Sequence, residues 1–297
     1  MNNQTSCLTS WSTANLVTNG LMGLFFLIGV PGNIAVIIAI VRHFKKNNFT
    51  VHLMLNLAVA DILCLLTVPG WIYSQQCSIS TPTCKFFKGL AFCSAYSGLI
   101  TVTALSVYRC LRIWHPQMCP KMDKRKERVF LLTCWILALV FSCPGVLTTN
   151  VIQVETKAEC ERILDSDVKL AFAALESLLG FVLPLTVILI SYYYLHKKVN
   201  QGLLKHRQRL TILVTRIIIM FLICWAPHHI IKLVDILAQL SKSNLDLNYT
   251  ADFVGCLTFI NSCVNPFLYA FSSKNLRQQK QERQETRVVG IDSSSQL

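Results

Sequence analysis

Charged residues are scarce in this sequence. They make up 14% of its 297 residues, against about 25% in an ordinary soluble domain. Acids are the scarcer sign, with 15 Asp and Glu against 28 Lys and Arg. So little charge excludes a fully hydrated surface. Other absences narrow the function. No C-x-x-C pair occurs among the 13 cysteines, which removes the common zinc patterns. No loop carries a nucleophile–base set or a metal cluster, so no enzyme site is expected. The sequence shows no tandem or inverted repeat and only one deep acid, which disfavours a transporter or channel. Its start, M-N-N-Q-T-S-C-L-T-S, lacks the basic region of a secretory signal, so no cleavable leader is expected.

Apolar sequence is abundant instead: 53% of residues are hydrophobic, and the mean hydropathy is +0.48. Seven apolar segments stand out, at about 16–41, 51–74, 84–112, 129–148, 170–195, 210–238 and 251–271. A helix needs about 20 apolar residues to cross roughly 30 Å of hydrocarbon. The expected fold is therefore an all-α membrane protein, a bundle of seven transmembrane helices. Residues 1–15 form one terminal segment, 16–271 the bundle and 272–297 the other terminal segment.

Loop charge orients the chain. With the N-terminus outside, the inner segments 42–50, 109–128, 196–216 and 272–297 hold 21 of the 28 Lys and Arg. Nine of the 15 acids fall outside or in the upper helix ends, five fall inside, and Asp61 is mid-membrane. The net charge of +13 is thus mainly topology. A nucleic-acid partner is the weaker reading of runs such as K-M-D-K-R-K-E-R, because they flank spans. Asn3 and Asn248 begin outer glycosylation sequons, whereas the sequon at Asn48 falls inside. Four cysteines face outside: Cys7, Cys77, Cys84 and Cys160. A Cys84–Cys160 bridge would staple the long loop after the fourth span over the bundle; two free thiols are less expected in an oxidising compartment. Cys7 and Cys77 are a second candidate pair that nothing in the sequence settles.

Polar residues inside spans are costly and usually functional. Here they form an ordered set: Gly32-Asn33 in the first span and N-L-A-V-A-D ending at Asp61 in the second. The third has Cys84 at its start and Arg109 at its end, and the fourth has Trp135 and Pro144. The fifth has Pro184 and Tyr192, the sixth C-W-A-P from Cys224 to Pro227, and the seventh N-P-F-L-Y from Asn265 to Tyr269. Together these resemble the rhodopsin-like, or class A, G protein-coupled receptors over about residues 20–283. The resemblance implies a sodium or water pocket of Asn33, Asp61, Asn261, Ser262 and Asn265. The family usually adds an oxygen-bearing residue eleven positions before the arginine; here Gly98 stands there. The resemblance also implies switch roles for Trp225 and Pro227, with Pro266 and Tyr269, and G protein coupling through Arg109 and Tyr192. Proline removes a helix hydrogen bond, so Pro184, Pro227 and Pro266 are hinge candidates.

In the family an acid usually precedes the arginine and holds it at rest. Here Tyr108 takes that place, and Arg207 stands near where a second acid often helps. A pair of this type contributes about 1–3 kcal/mol when partly buried. Its loss implies raised basal signalling; uncoupling, which would leave a scavenger, is the alternative. After Tyr269, S-K-N-L-R-Q-Q-K-Q-E-R is expected as a short amphipathic cytoplasmic helix along the bilayer. Ser293, Ser294 and Ser295 are candidate phosphorylation sites, with arrestin as the partner.

Phe259 stands where an opsin places its retinal lysine and Ala91 where amine receptors place an aspartate, so neither ligand is expected. L-E-S-L-L-G-F-V-L-P, W-A-P-H-H-I-I-K-L and Y-R-C-L-R-I-W-H-P are similar to the chemoattractant branch, closest to leukotriene B4 receptors. The upper cavity combines the cations Lys88, Arg162 and Lys232 with apolar walls at Phe92, Tyr96, Phe181 and Leu257. That suits a fatty carboxylate, with Glu176, His228 and His229 bonding hydroxyls on its chain. Alternatively, Glu176 pairs with Lys232 or a histidine, and the lysines snorkel to the membrane edge. A formylated or complement-type peptide is the second ligand class, favoured by the acidic loop E-T-K-A-E-C-E-R-I-L-D-S-D. The resemblance suggests an inhibitory G protein. No cofactor is expected beyond the sodium ion at Asp61.

The orientation has a direct test. Endoglycosidase treatment of the expressed chain should shift its gel mobility. Asn3→Gln with Asn248→Gln should abolish the shift, and Asn48→Gln should leave it intact. Dependence on Asn48 alone would invert the topology.

Overall fold

The computed structural model describes residues 13–43, 49–115, 123–154, 157–163, 166–198, 208–241 and 255–266. Asn3, Cys7, Asn248, Tyr269, the tail serines and the expected helix after the seventh span lie outside the described residues, as does the side chain of Arg162. The helices are α1 (Thr13–His43), α2 (Phe49–Leu65), α3 (Val68–Gln76), α4 (Thr81–Trp114), α5 (Lys124–Leu147), α6 (Ser166–Ser177), α7 (Leu183–Lys198) and α8 (Gln208–Leu240). The described part of the last helix, α9, covers 255–266. They make seven helical columns, as the apolar runs predict. Among the described residues, five are long and apolar enough by length and composition to cross a membrane.

The second and fifth columns are interrupted, for related reasons. In the second, α2 and α3 meet at a turn over Leu66 and Thr67. Pro69 opens α3; its ring clashes with the carbonyl four residues back and it has no N–H to donate. Thr67 closes the break, its hydroxyl donating to the Cys64 carbonyl at 2.6 Å. The apolar run 51–74 gives no hint of this, because both halves are equally greasy. In the fifth column, a π-turn over Leu178–Val182 joins α6 to α7, just before Pro184. The wider turn, with Leu183 N–H donating to the Leu178 carbonyl, takes up the disturbance that proline imposes.

Two strands follow α5, where the sequence suggested only a loop. β1 (Thr149–Val154) and β2 (Lys157–Arg162) pair antiparallel, with Thr149 opposite Arg162 and Val154 opposite Lys157. The expected Cys84–Cys160 disulfide ties β2 to the start of α4. Cys77 is also disulfide-bonded, to a partner outside the described residues.

The bundle is built inside out relative to a soluble protein. Leu27, Leu132, Ile136, Val140 and Tyr193 are exposed, while Asn33, Asp61, Ser97, Thr101 and Asn265 are buried. Lipid is as apolar as leucine, so the apolar effect does not sort these helices. Close packing and interhelical hydrogen bonds do. Gly29 shows the first: a Cβ there would lie 2.5 Å from the Leu65 side chain and 2.9 Å from Cys263 Sγ, so α1 packs closely on α2 and α9 at this glycine. Asn56 shows the second. Its amide donates to Thr101 Oγ1 at 2.8 Å and its carbonyl oxygen accepts from Trp135 Nε1 at 2.9 Å, joining α2, α4 and α5. Interhelical bonds of this kind contribute about 0.6 kcal/mol on average and up to about 1.7. Asn56→Leu loses both, and should lower the melting temperature of the detergent-solubilised chain by several degrees. Trp135→Phe, which loses one, should cost about half as much; an unchanged melting temperature for both would remove the bridge from the stability account.

Candidate functional site

Three polar layers lie along the bundle axis. The middle one surrounds Asp61, which is 3% exposed. Asn265 Nδ2 donates to Asp61 Oδ2 at 2.7 Å, and the Ser262 hydroxyl bonds the same carboxylate. Asn33 donates to the carbonyls of Gly29 at 3.0 Å and Ser262 at 2.8 Å. Asn261, next to Ser262, is half-buried. A helix-bound carboxylate in hydrocarbon needs partners, and α9 supplies them. The close contacts on Asp61 are thus hydrogen-bond donors. The oxygens that remain for a cation are few: Asn33 Oδ1 is buried without a protein partner. The wall at Gly98 brings none, its Cβ position lying 3.5 Å from Leu57.

The inner layer centres on Arg109, 8% exposed at the foot of α4. Tyr108, where an acid usually stands, turns to an aromatic cluster. Its ring meets Phe49 edge-on at 4.9 Å, and Phe49 meets Phe130 at 5.5 Å in the same way. The Arg112 guanidinium lies 5.8 Å from the Tyr108 ring centre. One turn from Phe49, His52 Nδ1 contacts the buried Glu127 carboxylate at 2.7 Å and ties α2 to α5. Tyr192 packs beside Leu57, Val102 and Ile188, and Trp114 Nε1 donates to the Tyr194 carbonyl at 2.9 Å. His52 and Glu127 escaped the sequence reading because basic neighbours surround Glu127 and make it look like a solvated loop residue.

The outer layer gathers the π-turn and α8. Glu176 and Lys232 form an ion pair, each mostly shielded, with Lys232 Nζ donating to Glu176 Oε2. Ser177 Oγ and His229 Nδ1 are hydrogen-bonded at 3.1 Å. The His229 ring lies between Phe181, at 5.5 Å and 27°, and Trp225, at 6.0 Å and 21°. His228 meets it edge-on at 5.4 Å. Gly180 lies beside the stack: a Cβ there would be in ordinary contact with Tyr96 at 3.5 Å and His229 at 3.6 Å. Pro227, inside α8, is the helix break nearest the stack.

The sequence reading grouped Lys88, Arg162 and Lys232 as one cationic head site. The structure divides them. Lys88 Nζ donates to the Cys160 carbonyl at 3.0 Å and to Thr149 Oγ1 at 3.5 Å, bracing the hairpin rather than snorkelling. Lys232 belongs to Glu176, the alternative pairing the sequence left open. Arg162 is placed by its backbone in β2, opposite Thr149. Phe92 stands one turn beyond Lys88 on α4, half-buried. Ser177 went unread; its signal was its place beside Glu176, within hydrogen-bonding reach of the sixth span. Pro266 ends the described part of α9 and is buried.

A family model for seven-transmembrane receptors of the rhodopsin family matches residues 32–269. The C-X-C chemokine receptor type 1 of Oryctolagus cuniculus is 28% identical over 284 residues, 91% of this chain and 80% of its own length. The C5a anaphylatoxin chemotactic receptor 1 of Danio rerio is 27% identical over 282 residues, covering 91% of this chain and 81% of that one. The type-1 angiotensin II receptor of Gallus gallus is 29% identical over 277 residues, 86% of this chain and 76% of its own. None of these three is named for a leukotriene, so the chemoattractant likeness stands at the coarser level. With the buried Asp61–Asn265 pair, Arg109 at the foot of α4 and the family match over most of its length, the chain belongs to the rhodopsin family of seven-transmembrane receptors, multi-pass membrane receptors rather than enzymes, whose partners are a ligand and a heterotrimeric G protein.

Proposed function

We propose that this chain is a plasma-membrane chemoattractant receptor, N-terminus outside, that activates an inhibitory-type G protein on binding an anionic lipid mediator of the leukotriene B4 kind. The observation that carries the ligand class is the shielded Glu176–Lys232 pair beside the Ser177–His229 hydrogen bond, in an aromatic setting. An ammonium has three N–H donors, so Lys232 can hold Glu176 and a ligand carboxylate together. Phe181, Tyr96 and Trp225 suit an apolar chain, and Ser177, His228 and His229 suit its hydroxyls. Water rather than sodium serves Asp61 in this reading, because Gly98 lacks the oxygen a cation shell needs; sodium titration of ligand affinity belongs in the same assay.

A peptide ligand is the second reading. The relatives are named for chemokines, the C5a anaphylatoxin and angiotensin II, and a basic peptide would take Glu176 instead. cAMP and calcium responses to leukotriene B4, beside a formyl peptide and C5a, separate the two. Losing one charge-assisted bond costs about 1.5–3 kcal/mol, roughly ten- to hundredfold in potency. Lys232→Gln should cost the lipid response that much. A response to peptide alone, lost with Glu176→Gln, would replace the lipid reading.

Tyr108 stands where the family's acid usually precedes the arginine, so basal signalling should be high. Tyr108→Asp should lower it by about tenfold, the equivalent of 1.4 kcal/mol. Tyr108→Phe, which keeps the ring on Phe49, should leave it unchanged. Absent basal signal, unaffected by Arg109→Ala, would shift the reading to a non-coupling scavenger.

A further inference from the structure

A concavity runs down the outer side of the bundle between α4, α5 and the α6–α7 column, sharing Tyr96 with the proposed ligand contacts. It encloses about 590 Å³, within the roughly 300–1,000 Å³ typical of small-molecule sites. Leu137 and Leu183 on its walls are exposed, so it opens to the bilayer. It reaches from Tyr96 and Leu179 at one end to Tyr108 and Phe130 at the other. At about 1.5 Å per helical residue, Tyr96 to Tyr108 spans about 18 Å along α4, a little more than the roughly 15 Å of hydrocarbon in one leaflet. The walls are almost wholly apolar, and the hydroxyl of Thr103, midway along, is bonded to the Leu99 carbonyl at 2.9 Å.

Among the described residues, exposed cations gather at the Tyr108 end, whereas at the other end the Glu176–Lys232 ion pair lies one turn from Leu179. Arg112 lies one turn beyond Tyr108 and against its ring. Lys126 lies one turn before Phe130, and the groove face of α5 runs through Phe130, Leu137 and Phe141. Arg112, Lys124, Arg125, Lys126 and Arg128 are all exposed. Two acids share this stretch: Asp123 is exposed, and Glu127 is buried and held by His52. An apolar slot about one leaflet long, with a cationic rim at one end, matches one acyl chain of a lipid whose head is anionic, the second chain staying in the bilayer to which the slot opens.

We propose that this groove binds an anionic phospholipid of the leaflet on the basic-loop side. One acyl chain lies between Tyr108 and Tyr96, and the phosphate-bearing head meets Arg112 and Lys126. A sterol, with a single hydroxyl, would leave the cations without a counter-charge. The bound chain lies against Tyr108, the neighbour of Arg109, so occupancy bears on the inner layer whatever the outer ligand is.

The test is native mass spectrometry of the purified full chain released from nanodiscs of phosphatidylserine and phosphatidylcholine. One phosphatidylserine should be retained over phosphatidylcholine by about thirtyfold, and the double variant Arg112→Gln, Lys126→Gln should lose that preference, since each cation contributes about 1 kcal/mol. Ala104→Phe fills the groove without touching the cations and should also lose the lipid; Val107→Trp does the same if that variant expresses poorly. Equal retention of the two lipids overturns the proposal. So does phosphatidylserine retention that survives both groove-filling variants, which would place the head on a bare basic surface. Complete displacement by cholesterol at equal mole fraction would overturn the headgroup assignment.

Discussion

Hydrocarbon offers no hydrogen bonds, and this constraint orders the whole bundle. A polar side chain on any span must find its partner on another span or stay with its own backbone. Four hydroxyls on α4 take the second course: Ser94, Thr101, Thr103 and Ser106 each bond the carbonyl four residues back. The groups that take the first course define the architecture. Asn56 joins three helices, Asn33 and Asn265 draw α9 to α1 and α2, and Ser177 with Glu176 draws α6 to α8. α4 contacts α2, α5, α7 and β1, which is why the third span carries both the outer disulfide and the inner arginine.

Much of this was legible in the residues. Seven apolar runs predicted seven columns, because bilayer thickness sets the length of a spanning helix. Asp61 and Asn265 could be placed in one polar pocket, although the resemblance offered Asn265 as an oxygen for a cation or water and the structure makes it a donor to the carboxylate. Cys84 and Cys160 could be paired because one opens the third span, the other lies in the long outer loop, and a bridge between them staples that loop over the bundle. What escaped depends on the path of the backbone. Pro69 splits the second column, yet residues on both sides are equally apolar, so hydropathy is blind to the break. The π-turn shifts every later residue of the fifth column around its axis, and periodicity of 3.6 does not register one extra residue. The hairpin was missed because six-residue strands alternating polar and apolar are weak signals beside long helices.

The binding residues were legible as a set but not as a geometry. Seven of the eight proposed ligand contacts have described side chains: Lys88 holds the hairpin, Phe92 and Tyr96 lie farther along α4, and Glu176, His228, His229 and Lys232 lie where α6 meets α8. Sequence spacing assigns depth along a helix well. It assigns azimuth poorly where a π-turn or a proline intervenes. Lys88 and Lys232 both sit near the outer ends of their helices, yet one is committed to the Cys160 backbone and the other to Glu176.

The Glu176–Lys232 pair bears on selectivity through what it withholds. A lone buried lysine would attract any anion, and a lone glutamate any cation, with indiscriminate strength. Joined, they present almost no net field at a distance, so a passing charged molecule is not drawn in. Only a ligand whose shape already places its charged group within hydrogen-bonding distance meets the pair's attraction. On the proposed reading, recognition would be decided by fit before charge, and the site would stay quiet toward simple anions that share a ligand's charge but not its outline.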